Sequence, residues 1–261
     1  MTEPLFSAHS LADGYVDVAT SDGIATMLFG HPKGNSLPAA LLMRMAATFD
    51  DMAGRSDVRV ILLQSGGAGA FCAGASFDEL RALQSEQDAT RFFSGFAHLI
   101  LSMRRCPKPI VTRVHGKAAG GGVGIIAASD YAIATPNAAV RLSELAIGIG
   151  PFVVGPVIER RIGPGPFSEM ALDADWRDAA WAQHHGLYAR IVDATAALDQ
   201  VVTAFVSRLA ASSPDATAAL KRIFWEGTDA WDAMLFERAA ISGRLVFTDF
   251  ARRAIDAFIS K

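Results

Sequence analysis

The strongest constraint on the fold is a pattern that occurs twice: an apolar run, then a glycine-rich loop, then a helix. The first apolar run is residues 58–63, followed by the loop 64–69; the second is Ile110–Val114, which leads into the glycine-rich residues 116–124. Continuous apolar runs of this length indicate strands buried on both faces, which occur mainly in parallel sheets covered by helices. The pattern therefore predicts an α/β fold.

The amino-terminal part adds a hairpin and a helix to this repeat. Two short runs of strand-forming residues, 16–20 and 24–29, flank Ser21-Asp22-Gly23 and predict a β-hairpin. Ser36 is then predicted to N-cap a helix that reaches about residue 53, with Pro38 in its first turn.

The second half of the chain changes from alternating strands and helices to helices alone. Residues 77–83 and 88–103 are predicted helices, and residues 131–135 a strand. From Ala196 onward the pattern is helical, with interruptions at residues 212–214 and near Gly227. We therefore expect a core of stacked sheets in residues 1–195 and a helical carboxy-terminal subdomain in residues 196–261.

The charge and the cysteines narrow the class of protein. The formal net charge is −3, and the basic pair in Glu159-Arg160-Arg161 is typical of a solvated helix face, so no nucleic-acid partner is expected. Cys72 and Cys106 are expected to be reduced and buried.

The first residues lack the basic and apolar regions of a secretory signal, and apolar stretches are too short for a membrane span. A cytoplasmic location with no membrane partner is expected.

The glycine-rich loops are candidate binding elements for an oxyanion. Small residues where a strand passes into a helix allow a ligand to reach main-chain N–H groups, and the helix N-terminus adds partial positive charge. Two such groups directed at one oxygen would stabilise a thioester carbonyl that becomes an enolate. For either loop alone, a role in turns and close packing explains the glycines equally well.

A dinucleotide-binding site is an alternative explanation of the second loop. The residues Gly122-Val123-Gly124-Ile125-Ile126-Ala127 match G-x-G-x-x-A, and Glu144 follows at about the spacing that the motif requires. However, residues 115–121 separate these glycines from the preceding strand, and Glu144 comes after the next strand has ended. The context therefore disfavours a dinucleotide site.

Three motifs in order resemble those of the crotonase superfamily, the enoyl-CoA hydratase/isomerase family. The first is AFCAGASFDEL at residues 70–80, the second VHGKAAGGGVGIIAASD at 114–130, and the third LSELAIGIGP at 142–151. The tail, from Ser213-Pro214 to the last residues, is also similar to the helical tail of the family. The resemblance covers essentially the whole chain.

This resemblance implies a fold and a set of functional residues. The fold would be a spiral of ββα units with a helical tail, assembled as a homotrimer or homohexamer. The oxyanion-hole N–H groups would be those of Ala75 and Gly121, and Glu144 would transfer the proton at carbon 2. Ala73 and the stretch Ala75, Ser76 and Phe77 would line the arm of coenzyme A. Coenzyme A would be part of the acyl-CoA substrate, with no separate cofactor and no metal.

Two departures from the family pattern bear on the reaction. Two-acid hydratases carry a second glutamate at the position of Gly124, and its absence makes a Δ3,Δ2-enoyl-CoA isomerase with Glu144 as the sole acid an alternative. Val123-Gly124 is also similar to bacterial hydratases of branched enoyl-CoAs, including methylglutaconyl-type enzymes, which favours an enoyl-CoA hydratase. Ser76 replaces a common aspartate of mainly structural role. A third alternative is a non-catalytic acyl-CoA-binding scaffold, against which the retained Glu144 argues.

Several other residues are assigned structural roles or none. His115 is predicted to be a hydrogen-bonded histidine of the core or a turn, and Asp130 to orient local backbone. His184 and His185 lack partners at metal-ligand spacing. Phe258 and Lys261, near the end of the chain, are candidates to contact coenzyme A.

Overall fold

The protein is an α/β structure in which a mostly parallel sheet is covered by helices on both faces. The computed structural model describes residues 13–193 and 195–259. Within them, the eight strands are β1 Tyr15–Ser21, β2 Ile24–Gly30, β3 Val60–Ser65, β4 Ile110–Val114, β5 Ala118–Ala119, β6 Tyr131–Ala134, β7 Val140–Arg141 and β8 Arg190–Ile191.

Helices connect and cover these strands. In chain order they are α1 Ala39–Gly54, α2 Phe77–Ala82, α3 Glu86–Arg105, α4 Gly121–Ala128, α5 Gly155–Ile162, α6 Pro164–Asp173, α7 Ala179–His184, α8 Thr195–Ala210, α9 Pro214–Phe224, α10 Trp231–Leu245 and α11 Asp249–Ile259, with a 3-10 turn at Leu145–Ile147. Among the described residues, none of these helices is both long and apolar enough to cross a membrane.

The main sheet has six strands in the order β1-β2-β3-β4-β6-β8. Strands β1 and β2 pair antiparallel around a turn in which Asp22 and Gly23 have positive φ, which confirms the predicted hairpin. All later neighbours pair parallel. Five of the six β3 residues are buried, as its apolar sequence predicts. Because the strands are parallel, the loops that follow β3, β4 and β6 leave the sheet at the same edge.

A second, smaller sheet lies beyond that edge. Strands β5 and β7 pair parallel, and single bridges join Cys72 to Ala118 and Leu37 to Ala75. Each central strand of the main sheet is thus followed by a short second-layer strand or bridge, and after β3 and β4 by a helix. This repeated ββα arrangement confirms the predicted crotonase-like spiral.

The first helix begins later than the sequence predicts. Ser36 does not cap it: the Ser36 hydroxyl contacts Nδ1 of His31 at 3.0 Å, and the backbone remains extended to Pro38. The reason is tertiary, since Leu37 is paired with the first glycine loop, donating to the Gly74 carbonyl and accepting from the Ser76 N–H. The predicted N-cap at Ser36 is therefore wrong, whereas the end of the helix near residue 53 is confirmed.

The carboxy-terminal helices have two kinds of contact with the core. Helix α8 covers the outer face of the sheet, where Leu198, Val202 and Val206 pack with buried residues of β3, β4 and β6. Helices α10 and α11 lie on the other side, where α10 packs along α3 and α11 contacts α2 and the 3-10 turn. The predicted interruptions are present: Ser213 caps α9, and Gly227 has positive φ before α10.

Candidate active site

Most of the sequence-predicted site residues line one pocket at the carboxyl edge of the sheet. Ala73, Ala75, Phe77, Gly121 and Glu144 all contribute to its wall, although they come from three segments far apart in the sequence. Ser76 is the exception: its buried side chain accepts a hydrogen bond from the Glu79 N–H at 3.4 Å and thereby caps α2. The structure thus brings five of the six candidates together and places the sixth directly behind them.

The first loop presents the Ala75 amide to the pocket. Gly74 has φ +89°, and a Cβ on it would lie 2.8 Å from the Ala119 carbonyl oxygen, so this position requires glycine. The Gly74 carbonyl and the Ser76 N–H both pair with Leu37. Between them, the Ala75 N–H donates no hydrogen bond to another described residue.

The second loop presents the Gly121 amide at the N-terminus of α4. Gly120 turns the chain with φ +50°, and Gly121 is the first residue of the helix. Its N–H also donates no hydrogen bond to a described residue, as expected for an amide in the first turn of a helix. A Cβ on Gly74 would lie only 3.6 Å from the Gly121 nitrogen, so the two loops are in close contact. Two unpaired amides and the positive end of a short helix dipole therefore lie in one wall of the pocket.

Glu144 lies against the second loop. Its Oε1 would be 2.9 Å from a Cβ on Gly120, and its carbonyl accepts from the N–H groups of Ile147 and Ile149, which hold the 3-10 turn in place. The residue as a whole is partly exposed, but the side-chain atom Oε2 is buried and has no hydrogen-bond partner among the described residues.

This environment changes the acidity of Glu144. Burial raises the pKa of its carboxyl from 4.5 to about 7, while the backbone N–H groups of Glu144 and Ser143 and the charge of Arg141 oppose the rise only in part. A carboxyl group with this pKa can accept and return a proton near neutral pH, as a general acid and base must.

The position of Gly124, one turn along α4 from Gly121, is closed by an apolar side chain. A Cβ on Gly124 would lie 2.7 Å from both the Cβ and Cγ1 atoms of Val154. A side chain at residue 124 would therefore have to displace Val154, and a second carboxylate there would meet this apolar side chain. The pocket wall here is aliphatic.

The structure also places aromatic residues in the pocket wall. Phe93 and Phe96 from α3 and Phe152 from the loop before α5 line the pocket, whereas Phe92 does not. Ile147 and Ile149 of the third motif also contribute, as do Val154 and, from α10, Ser242. No sequence signal could have identified Val154, because its contact with Gly124 joins segments thirty positions apart.

Of the residues assigned structural roles, Asp130 and His115 have different outcomes. Asp130 accepts from the Ile110 N–H at 2.7 Å and pairs with the buried Lys221, which confirms that it orients local backbone. His115 is buried, which confirms its predicted place in the core, but the predicted hydrogen bonding is wrong: neither ring nitrogen has a hydrogen-bond partner among the described residues. Lys261 and the side chain of Phe258 lie outside the described residues.

The surroundings of the second loop differ from those of a dinucleotide-binding fingerprint. Strand β5 intervenes between β4 and α4, so the glycines are not in a tight turn directly after a main-sheet strand. Glu144 lies in a turn after β7 rather than at the end of a strand. This arrangement agrees with the sequence argument against a nucleotide site.

Comparison with known families identifies the fold and its class of chemistry. A family model described as enoyl-CoA hydratase/isomerase matches residues 19–252. The chain belongs to the enoyl-CoA hydratase/isomerase family. It is therefore an enzyme of the crotonase superfamily.

Individual members of the family are distant in sequence and similar in structure. A probable enoyl-CoA hydratase of Bacillus subtilis is 25% identical over 248 residues, covering 94% of this chain and 96% of the relative. A carnitinyl-CoA dehydratase of Proteus mirabilis is 28% identical over 208 residues, covering 79% and 78%. The crystal structure of a putative enoyl-CoA hydratase from Mycobacterium avium paratuberculosis has a TM-score of 0.85 at 25% identity, covering 94% and 96%.

Proposed function

We propose that this member of the family is an enoyl-CoA hydratase that uses two backbone amides and a single carboxylic acid. One observation carries the proposal: the Glu144 carboxyl, with a buried and unpaired oxygen, shares a pocket with the unpaired amides of Ala75 and Gly121. Unpaired polar groups are rare inside proteins, and three in one pocket are expected where a ligand completes their hydrogen bonds.

The amides bind the oxygen on which negative charge develops. In the proposed complex, the thioester carbonyl oxygen of a 2-enoyl-CoA accepts hydrogen bonds from Ala75 and Gly121. When a nucleophile adds at carbon 3, the carbonyl becomes an enolate, and the two fixed donors stabilise the enolate more than the neutral carbonyl. Ala73 and Phe77 lie beside this point and would line the arm of coenzyme A, with Ser76 holding the loop through its cap.

Glu144 supplies the proton transfers. Its carboxylate removes a proton from a water molecule as the water oxygen bonds to carbon 3, and the π electrons move onto the thioester oxygen. The protonated carboxyl then returns a proton to carbon 2 as the enolate collapses, so that the elements of water have been added across the double bond. A pKa of about 7 makes both protonation states accessible. No cofactor beyond the coenzyme A of the substrate is required.

The test is an ultraviolet assay of the purified protein with trans-2-butenoyl-CoA. Hydration removes the conjugated double bond, so the absorbance of the enoyl thioester should fall, and Glu144→Gln should abolish the fall while still binding the ester. If no enoyl-CoA is converted but CoA esters bind, the protein is an acyl-CoA-binding scaffold. If the Gln variant is as active as the wild type, the assignment of the acid is wrong.

A second function, Δ3,Δ2-enoyl-CoA isomerase, is favoured by one observation. Val154 occupies the space beside Gly124, where a second carboxylate would hold the attacking water. An isomerase needs no such water, because one carboxylate can move one proton between carbons 2 and 4 by way of the same enolate. With trans-3-hexenoyl-CoA as substrate, isomerisation would increase the conjugated absorbance, whereas a pure hydratase would leave it unchanged.

The assembly is also proposed as a trimer or a hexamer, in line with the resemblance to the family. An apolar stripe on α9, formed by Leu220, Ile223 and Phe224, is about half exposed in the single chain. Such a stripe is expected to be covered in an assembly. Light scattering on the 27.7 kDa chain would distinguish these states from a monomer.

A further inference from the structure

The walls of the pocket define the kind of acyl group that it can accept, an inference that rests on the proposed function. Apart from the loop backbones, the lining is made of aromatic and aliphatic side chains. Among the described residues that line it, the only side-chain hydroxyls belong to Ser143 and Ser242, and the only ionisable group is Glu144. Within the described part of the chain, no lysine, arginine or histidine lines the pocket.

The free space is small. The pocket holds a cavity of about 50 Å3. A site of this size takes up only a few water-sized groups and is far smaller than a ligand pocket of about 300–1,000 Å3. An acyl group of about four carbons fills it.

Two aromatic rings of the pocket wall pack against glycines. The Phe96 ring rests on Gly121, where a Cβ would be only 2.1 Å from Cε1 of the ring. The Phe152 ring lies over Gly150 in the same way, at 2.6 Å. Behind Phe96, Phe92 makes an edge contact at a centroid distance of 6.2 Å. The buried Phe96 ring therefore cannot move back to admit additional methylene groups without displacing Phe92.

Thioesters with a charged acyl group form a second group of excluded substrates. A carboxylate at the far end of the acyl group, as in a methylglutaconyl thioester, would enter an apolar wall with no cation among the described residues to pair with, which is unfavourable because the charge loses its hydration. A quaternary ammonium, as in a carnitinyl thioester, could in principle contact aromatic faces. The cavity is too small for such a group in addition to the acyl carbons.

We propose that the substrate carries a short, uncharged acyl group of about four carbons, and that the Phe152 ring is the main barrier to longer ones. Phe152 is the suitable residue to test because it lies in a loop and is only half-buried, whereas Phe96 and Val154 belong to the buried core. Removing its ring should extend the pocket without disturbing the amides or Glu144.

The experiment measures kcat/KM for thioesters that differ in one property at a time. Wild-type protein is assayed with trans-2-butenoyl-CoA, trans-2-decenoyl-CoA, 3-methylglutaconyl-CoA and crotonobetainyl-CoA. The butenoyl ester is expected to be preferred at least about 100-fold over each of the others. Phe152→Ala is expected to raise the decenoyl-to-butenoyl ratio at least about tenfold, and Phe152→Leu to raise it by less. Leu172→Ala, at an exposed residue of α6, is the matched control and should leave the ratio unchanged.

The outcomes separate this inference from the proposed function. If the enzyme hydrates decenoyl-CoA or a charged ester as well as butenoyl-CoA, the size and charge limits are wrong, although the hydratase assignment stands. If the decenoyl-to-butenoyl ratio of kcat/KM is unchanged in a folded Phe152→Ala or Phe152→Leu protein, Phe152 does not limit the length of the acyl group. If none of the four esters is hydrated, the proposed function fails, and this inference fails with it.

Discussion

One carboxyl oxygen of Glu144 is buried and has no hydrogen-bond partner among the described residues. Most buried polar atoms are satisfied by the protein itself, because an unpaired one costs about 1–3 kcal/mol. Oε2 of Glu144 has no such partner among the described residues, and the raised pKa of the group follows from the same desolvation. When a ligand binds and forms a hydrogen bond with this oxygen, the free-energy cost of leaving it unpaired is expected to be offset.

Substitution of Glu144 tests its role in proton transfer. Glu144→Gln keeps the size and polarity of the side chain but can neither accept nor return the proton, so kcat should fall by about 100- to 10,000-fold. Binding of a non-reactive acyl-CoA, measured by calorimetry, should change little. A variant that loses binding and activity together would indicate a structural role instead.

The acidity of Glu144 also makes activity and stability depend on pH. The proposed base is the ionised form, so kcat/KM should fall as the pH drops below about 7. Stability changes in the opposite direction. The folded pKa, about 7, exceeds the ordinary 4.5, so between these values the folded state keeps a proton that the unfolded state has lost. The free energy of unfolding therefore decreases as the pH rises through this window.

Urea denaturation at pH 5 and pH 8 would measure this effect. Between the two values, the wild type should lose on the order of 1–3 kcal/mol relative to Glu144→Gln, which has no titrating group at this position. Equal pH dependence of the two proteins would show that the carboxyl is not buried in solution.

At the scale of elements, the site depends on glycines that allow helices and loops to approach closely. Gly121 receives the Phe96 ring of α3, and Gly124 receives Val154 from the start of α5. Helix α11 contributes as well: a Cβ on Gly148, just after the 3-10 turn, would lie 2.6 Å from the Phe250 ring. The turn that carries Glu144 is therefore held between α4 on one side and the last helix on the other.

A methyl group at residue 121 should disrupt this packing. Gly121→Ala would force the Phe96 ring or the amide to move and should lower the free energy of unfolding by about 1–3 kcal/mol. Activity should fall further than stability alone explains, because the proposed oxyanion donor is displaced. Gly165→Ala is the control, since a Cβ there meets no atom within 4 Å. Thermal melts and kcat/KM measured for both variants would show whether stability and activity fall in Gly121→Ala alone.

Arg252 on α11 is expected to position the site from a distance. Its guanidinium donates to the carbonyl of Leu83, at the end of α2, at 2.9 Å, and it stacks on the Phe247 ring. Arg252→Ala should loosen α11 from α2 and from the turn after Glu144, which would lower kcat and shift the pH at which activity is half-maximal. Arg253→Ala, at the exposed neighbouring residue, should change neither. An unshifted pH profile in Arg252→Ala would limit Arg252 to a stabilising role.

At the scale of the whole molecule, the sheet separates two apolar cores. The larger lies between the sheet and helices that include α1, α3 and α4, and the smaller lies under α8. Both cysteines belong to the larger core: Cys72 is fully buried and Cys106 nearly so. Burial raises the pKa of the Cys72 thiol to about 12 and also raises that of Cys106.

The two thiols should therefore report on global unfolding. In the folded protein at pH 8, neither cysteine should react with a thiol reagent during a period in which both react completely in urea, because the thiolate is the reactive form. Rapid modification of either residue without denaturant would contradict the burial of that side chain.

The sequence by itself determined the local features of this protein. Positive φ at a strand-to-helix turn demands glycine, and continuous apolar runs demand buried strands, so the hairpin, the two glycine loops and the parallel sheet were predictable. The ordered motifs were enough to nominate Ala75, Gly121 and Glu144 before their common pocket was known. Such features depend on neighbouring residues in the chain.

Tertiary structure decided what depends on residues distant in sequence. Ser36 does not cap α1 because Leu37 pairs with the loop at Gly74, and the ring nitrogens of His115 are buried without a partner. The space beside Gly124 is filled by Val154, and the pKa of Glu144 is raised by groups that only the folded chain brings around it. Burial and desolvation are properties of a packed environment, and no local pattern of residues encodes which distant segment will supply it.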